Sequence, residues 1–318
     1  MNGSVSLKTI AAELRLSVDT VSKALRDSSQ ISEATKKLVR SKANELGYVK
    51  NSLAVSLKMG TTKNVAVFIN DLYNPYFAIM VDKIVRLLEK HGYTGFISLL
   101  NGYELNLEGL NSFFTNKCSL AISLVDPMPE VVKTFKDNGI PFFLIGIKPD
   151  SDSVNYAITD DYEGGRLAGE CFVGKGFHKG LFLTNSPSET SIRRERGFLD
   201  YCAGRDVSSL RYDDGKIGLA DAANLIKEKG FDFVFCHSDY VAISLRRFLR
   251  KIGYSCFLLG YDNISQYVDL YDPVSSIGAD VDMLVNDVVS RAVEVHQGKA
   301  AKGEVMAKVY KVSLFDRG

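Results

Sequence analysis

Ser6-Leu-Lys-Thr-Ile-Ala-Ala-Glu-Leu-Arg-Leu-Ser17-Val-Asp-Thr-Val-Ser-Lys-Ala-Leu-Arg26 reads as two short helices joined by a tight turn. Leu7, Ile10, Ala11 and Leu14 recur at three- and four-residue spacing, so they predict one buried stripe. Val21, Ala24 and Leu25 repeat that spacing on the second helix, and Leu16 fills the turn between them. Ser17 stands where a hydroxyl can accept a free backbone N–H of the second helix. Val18, Asp19, Thr20, Ser22, Lys23 and Arg26 fall outside the stripe. They form a short, polar, partly basic face of the kind a recognition helix presents to a DNA major groove.

A helix pair alone is common scaffold, but charge and position add to the reading. Residues 1–60 hold ten Lys/Arg against five Asp/Glu, a net of +5. The whole chain has 39 against 38, leaving 29 basic and 33 acidic residues in 61–318, a net of −4. A basic head on a mildly acidic body is the layout of a DNA-binding module attached to a domain with another task.

From about residue 63 the pattern changes. Apolar runs of strand length at 65–69, 95–100, 120–125, 142–145, 156–159, 180–184, 233–236 and 257–260 alternate with helical periods. Short apolar strands separated by helices predict parallel sheets covered on both faces. About 250 residues exceed one compact domain of this type, so two similar lobes are expected. In open parallel sheets, ligands bind beyond the carboxyl ends of the strands. That rule selects Asn70, Asp71, Asp160, Asp161, Asn185, Ser238, Asp239 and Asp262. Paired carboxylates with a guanidinium suit a polyol, because each group can bond two neighbouring hydroxyls.

Several segments carry a resemblance. Val5 to Ser17, Thr20-Val-Ser22, Ile31-Ser-Glu-Ala-Thr35, Leu46-Gly-Tyr48 and Asn51-Ser-Leu-Ala-Val-Ser-Leu-Lys58 resemble the headpiece of the lactose/galactose repressor family of bacterial transcription regulators. The likeness continues at Asn74-Pro-Tyr-Phe77, Glu163-Gly-Gly-Arg166, Arg196-Gly-Phe198 and Gly260-Tyr-Asp-Asn263, so it spans essentially the whole chain.

The resemblance implies a helix-turn-helix headpiece at 1–50, a hinge helix or linker at 51–61, and a two-lobed periplasmic-binding-protein-like α/β body at 62–318. Its N-lobe takes about 62–160 and 280–300, its C-lobe about 161–279, and a final strand 305–314 completes the sheets. By the same resemblance Val18, Asp19 and Lys23 meet base edges. Lys23 suits guanine O6 and N7, Val18 a thymine methyl, and Asp19 either cytosine N4 or the dipole of its own helix. Thr20, Ser22, Ser32 and Thr35 are matched to phosphate contacts that set register. Ala54, Leu57 and Lys58 are matched to a minor-groove hinge, with Leu57 as the wedge. Arg194 aligns with an effector-gripping arginine, Asp262 with a hydroxyl-accepting aspartate, and Tyr76 and Phe77 with positions that stack on the ligand. Asp71 and Asp239 join this set by the strand-end rule. Lys50 stands where relatives usually have proline, and Gly146 and Ala279 replace a frequent aspartate and glutamine. The expected effector is a sugar or sugar phosphate, with a purine-like ring second.

Asp239 and Asp262 with His237 would offer an acid/base set. Against an enzyme, the chain has no Gly-x-Gly-x-x-Gly, no Gly-Lys-Ser/Thr phosphate loop and no Gly-x-Ser-x-Gly. Five widely spaced cysteines (Cys118, Cys171, Cys202, Cys236, Cys256) and four scattered histidines fit reduced core thiols in a cytoplasmic protein, without metal or cofactor. The other reading of the body is an exported solute-binding protein. The N-terminus argues against it, since it carries no basic and apolar leader, and no run long enough to span a membrane is present. No leucine heptads follow the last strand, so a homodimer on near-palindromic double-stranded operator DNA is expected. Inducer and corepressor share this architecture, so the sign of control stays open.

Overall fold

The computed structural model describes residues 5–48, 62–212, 217–301 and 303–317. The hinge residues Ala54, Leu57 and Lys58 lie outside them. The chain divides into two compact units, 1–62 and 63–318.

The first unit is three helices, α1 (Leu7–Leu14), α2 (Val18–Leu25) and α3 (Glu33–Glu45). Each begins at a serine. Ser6 and Thr9 exchange backbone-to-hydroxyl bonds in a capping box, Ser17 Oγ accepts from the Thr20 N–H at 3.0 Å, and Ser32 Oγ from the Thr35 N–H at 3.3 Å. Arg15 ends α1 in the left-handed region (φ +54°), which folds the chain back within three residues. Ile10, Ala11, Val21, Ala24, Val39 and Ala43 form the buried centre, flanked by Leu7, Leu14, Leu16 and Leu25. The spacing read in the sequence gives the inner faces of α1 and α2, and Val39 and Ala43 complete the centre from α3. Asp27, also left-handed, pairs with Lys36 at 3.1 Å and Arg40 at 2.9 Å, fastening the α2–α3 loop to α3.

The second unit runs β1 (Asn64–Ile69), α4 (Pro75–Lys90), β2 (Thr94–Leu99), β3 (Glu104–Leu105), α5 (Asn111–Thr115), β4 (Leu120–Ser123), β5 (Asp126–Pro127), α6 (Pro129–Asp137), β6 (Phe142–Ile145) and β7 (Asn155–Thr159). It continues α7 (Asp161–Gly174), β8 (Lys179–Thr184), α8 (Glu189–Tyr201), β9 (Asp206–Arg211), α9 (Leu219–Lys229), β10 (Phe233–Cys236), α10 (Asp239–Lys251), β11 (Phe257–Tyr261), β12 (Ser275–Gly278), α11 (Val281–His296), β13 (Ala307–Tyr310) and β14 (Ser313–Phe315).

Two six-stranded sheets result. One is ordered β13-β7-β6-β4-β1-β2 and wholly parallel. The other is β14-β12-β11-β10-β8-β9, parallel except for β14. Central strands such as Val65 to Ile69 and Phe233 to Cys236 are buried along their length, because helices cover both faces. In the N-lobe, α4 and α11 pack on one face of the sheet and α5 and α6 on the other. In the C-lobe, a Phe172–Phe198–Phe233–Phe235 cluster lies under α7 and α8, while α9 and α10 cover the opposite face.

One expectation needs correcting. The single final strand at 305–314 is two strands: β13 joins the N-lobe sheet beside β7, and β14 joins the C-lobe sheet antiparallel to β12. The chain therefore passes between lobes a third time, at Lys311 and Val312. β9 and β12 were not among the expected strands. Asp-Val-Ser-Ser-Leu-Arg is a polar, exposed edge, and Ser-Ser-Ile-Gly has too few apolar residues to read as buried. No helix of the described residues is long and apolar enough to cross a membrane.

Candidate functional site

Strand ends of both lobes meet on a set of polar residues. β7 runs into Asp160, whose side chain caps α7 by accepting from the Glu163 N–H, and into the buried Asp161. β10 leads to His237, Ser238 and Asp239, and β11 to Asp262 and Asn263. Arg194, in the second turn of α8, joins these termini. Its Nε donates to Asp161 Oδ1 at 2.8 Å and its Nη1 to the His237 carbonyl at 2.6 Å. The guanidinium carbon lies 3.5 Å from the centre of the Tyr261 ring, and Asp262 Oδ1 is 3.9 Å from Nη1. Arg194 reaches Asp161 because α7 and α8 touch backbone to backbone. A Cβ on Gly165 would strike the Arg194 carbonyl oxygen, and one on Gly197 the Tyr162 carbonyl oxygen.

Burial sets the charges. It works against the Arg194 cation, yet Asp161, Tyr261 and Asp262 outweigh it and hold the guanidinium charged. It pushes the Asp262 carboxyl well above the usual range, with Arg194 pulling the other way. His237 is held neutral, with a pKa lowered to about 3 by burial and by the Arg194 charge, and its Nδ1 is buried without a hydrogen-bond partner. Asp262 and Asn263 both have positive φ, +99° and +51°. A left-handed pair of non-glycine residues costs on the order of 1–3 kcal/mol each and persists where the surroundings impose it, which is typical of ligand-handling loops.

The expected site residues separate into groups. Arg194 and Asp262 come together as described. Tyr76, at the start of α4, joins them from the N-lobe, where burial and the Asp262 charge raise its hydroxyl pKa. Phe77 meets the Tyr76 ring edge-on at 5.7 Å and is partly packed on the central core. Asp71 shapes the approach to α4, with Oδ1 accepting from the N–H groups of Tyr73 and Asn74. Asp239 requires a correction. Its carboxylate accepts from the Ile264 N–H at 2.9 Å and the Ser276 hydroxyl at 2.6 Å, it is 1 % exposed, and Gly260 makes room for it. It anchors the 262–264 loop to β12, with both carboxylate oxygens engaged. Tyr261, the platform under Arg194, was not anticipated, since a tyrosine inside an apolar strand run reads as core.

On the helical unit, Val18, Asp19 and Lys23 share the outer face of α2. Val18 is 41 % exposed, and Lys23 Nζ pairs with Asp19 Oδ2 at 2.9 Å. The hydroxyls of Thr20 and Thr35 bond those of Ser17 and Ser32 at 2.8 and 2.9 Å, so these three expected phosphate contacts (Thr20, Ser32 and Thr35) also build helix N-termini.

A three-helix basic head followed by a two-lobed α/β body with polar groups gathered at the strand ends defines a ligand-responsive DNA-binding regulator. The sequence matches "Bacterial regulatory proteins, lacI family" over residues 6–51 and "Periplasmic binding proteins and sugar binding domain of LacI family" over residues 62–313. The chain belongs to the LacI family of transcriptional regulators and is not an enzyme. It is 24 % identical over 289 residues to the HTH-type transcriptional repressor PurR of Aliivibrio fischeri strain MJ11, covering 86 % of each chain. It is 25 % identical over 283 residues to the ribose operon repressor of Lactococcus lactis subsp. lactis strain IL1403, covering 86 % of this chain and 85 % of the relative. The lac repressor dimer bound to operator and the anti-inducer ONPF shares the fold with a TM-score of 0.79 at 20 % identity, covering 99 % of this chain and 98 % of that one. The transcriptional regulator CelR–cellobiose complex aligns with a TM-score of 0.65 at 21 % identity, covering 98 % of each chain.

Proposed function

We propose that this regulator acts in the cytoplasm as a homodimeric repressor that binds a near-palindromic operator and changes affinity when a sugar closes the two lobes. The headpiece takes residues 1–50, the linker 51–61 and the sensing body 62–318. Val18, Asp19 and Lys23 read bases, Thr20, Ser22, Ser32 and Thr35 meet phosphates, and Ala54, Leu57 and Lys58 enter the minor groove. The observation that carries the effector reading is Arg194, held by Asp161 and stacked on Tyr261, facing Asp262 with Tyr76 opposite. Arg194 is already paired with the buried Asp161, which leaves no surplus positive charge for a phosphate. Acceptors beside a fixed donor suit neighbouring hydroxyls, and the Tyr76 ring suits the apolar face of a pyranose or furanose. An unphosphorylated sugar therefore fits better than a sugar phosphate.

Dimerisation follows from the N-lobe edge. β2 leaves Ile97 and Leu99 more than half exposed at the edge of the sheet, on the face opposite Ser98, which bonds the Ser112 hydroxyl of α5. A second copy would cover this apolar edge.

The test starts from operator sequences selected out of a random duplex pool with full-length protein, followed by a sugar screen read as a change in anisotropy of the labelled operator. Arg194→Ala should keep operator affinity within about twofold and lose the sugar response. A variant that still responds like the parent places the effector elsewhere.

A further inference from the structure

We infer that the C-lobe holds a second ligand site, for a small phosphate-bearing anion, at the end of its sheet opposite the cleft. A cavity of about 240 Å³ opens between the last turns of α10, the start of β11 and the segment leading into β12, with Arg317 on its border. Arg246, Arg250 and Arg317 line it, and among the described residues no carboxylate does.

The charges there do not cancel. Arg246 and Arg250 stand one helical turn apart and share a single acid, Asp272. Arg246 Nη1 is 3.1 Å from Oδ1, and Arg250 Nη2 is 2.6 Å from Oδ2. Arg317 spends Nη1 on the Val274 carbonyl and Nη2 on the Asn263 side chain, while its neighbour Asp316 pairs with Lys175 at 2.7 Å. Three arginines thus line one cavity; Asp272 pairs with two of them, and Asp316, which pairs with Lys175, accepts from the lining Ser275 hydroxyl at 3.1 Å. Like charges four residues apart on a helix repel, and this arrangement sits on a body whose net charge is −4.

The rest of the lining fits the same ligand. Leu249, Phe257, Leu258 and Val274 supply an apolar floor, which strengthens a charge-assisted bond by excluding water. Burial pushes the Cys256 thiol up to about 12, so it stays protonated and does not repel an anion. Arg246 donates to the Asp272 and Pro273 carbonyls, and Arg317 to the Val274 carbonyl and the Asn263 side chain, which holds both planar groups in place and lowers the entropy cost of a further charge-assisted contact from their remaining N–H groups. The volume lies below the roughly 300–1,000 Å³ of sites for drug-sized ligands, so the ligand is a phosphate group with at most a short carbon skeleton.

The experiment is thermal melting of the full chain with inorganic phosphate, pyrophosphate or glycerol 3-phosphate, against sodium chloride at equal ionic strength. A ligand that binds only the folded state raises the melting temperature in proportion to ln(1 + [L]/Kd). The parent should gain several degrees in excess of chloride, and Arg250→Ala and Arg317→Ala should each bind at least tenfold more weakly. Arg250 is largely exposed, so its replacement leaves the fold intact even if the Arg317 variant melts early. Stronger binding of glycerol 3-phosphate than of phosphate assigns a carbon skeleton to the apolar floor, and equal binding assigns the bare ion. No excess over chloride, or an equal gain in the Arg250 variant (as binding to the basic headpiece would give), overturns the site.

Discussion

Asp239 and Asp262 follow neighbouring strands of the C-lobe, and their surroundings divide two tasks that look alike in the sequence. Each is an acid just past an apolar run, so the strand-end rule selects both. Asp262 faces Arg194 across 3.9 Å and Tyr76 from the other lobe. Asp239 has both oxygens occupied by Ile264 and Ser276. That difference is invisible without knowing where β12 lies, and β12 is itself hard to read. Burial raises the Asp239 pKa to about 7 from an ordinary 3.8, and its two donors only partly offset this. A carboxyl raised on folding adds stability that is complete below its unfolded pKa and is lost as pH rises through its folded pKa. The window therefore runs from about pH 4 to pH 8. At about 1.4 kcal/mol per unit, the loss has a ceiling of roughly 4 kcal/mol. Asp239→Asn keeps an acceptor for the Ile264 N–H and can donate to Ser276. Relative to the parent it should gain stability steadily from pH 4 to 8, measured by urea unfolding at each pH. Because the Asp239 charge also helps to raise the Asp262 pKa, the same pair is compared in an Asp262→Asn background, and parallel stability curves there would remove Asp239 as the source.

At the scale of elements, the α7–α8 pair builds the proposed effector site, and its cause lies in three glycines. Gly164 leaves room for the Tyr261 ring, while Gly165 and Gly197 let the helix backbones touch, bringing Arg194 onto Asp161. The sequence displays Gly164-Gly165 and Gly197 clearly, but local spacing does not say that two helices cross there. The elements that were legible, α1, α2 and the central strands, owe this to periods of three to four residues or to unbroken apolar runs. β9 was obscured by its exposure. The β13/β14 pair was obscured because one stretch of strand-forming residues serves two sheets, and only long-range pairing divides it. Gly165→Ala tests the crossing. Overpacking typically costs about 1–3 kcal/mol, and here the added methyl meets backbone, which yields less readily than a side chain. The expected result is a loss near the upper end of that range in denaturant unfolding, together with a sugar response weakened at least tenfold. A stable variant with an intact response would show that the helices can part without moving Arg194.

For the whole molecule, the link between sensing and DNA binding depends on pairing. A single headpiece offers one short reading face with only three candidate base contacts, too few for an extended operator, so two heads at fixed spacing must add their contacts. In the proposed dimer the N-lobe edge strand β2 holds the bodies together. Ile97 and Leu99 alternate with Ser98, which is turned to the Ser112 hydroxyl of α5, so both apolar side chains stand on the opposite face of the sheet and stay more than half exposed at its edge. An uncovered apolar edge invites uncontrolled association unless a defined partner occupies it. Leu99→Glu places a carboxylate in that seam, and on a two-fold axis the charge is introduced twice. The variant should sediment as a monomer at micromolar concentration while the body keeps its circular dichroism, melting temperature and sugar binding. Operator affinity should fall by about two orders of magnitude or more, because the second headpiece no longer arrives at an effective concentration set by the first. A Leu99→Glu protein that remains dimeric with full operator affinity would assign the subunit contact to another face and leave β2 as an ordinary solvent edge.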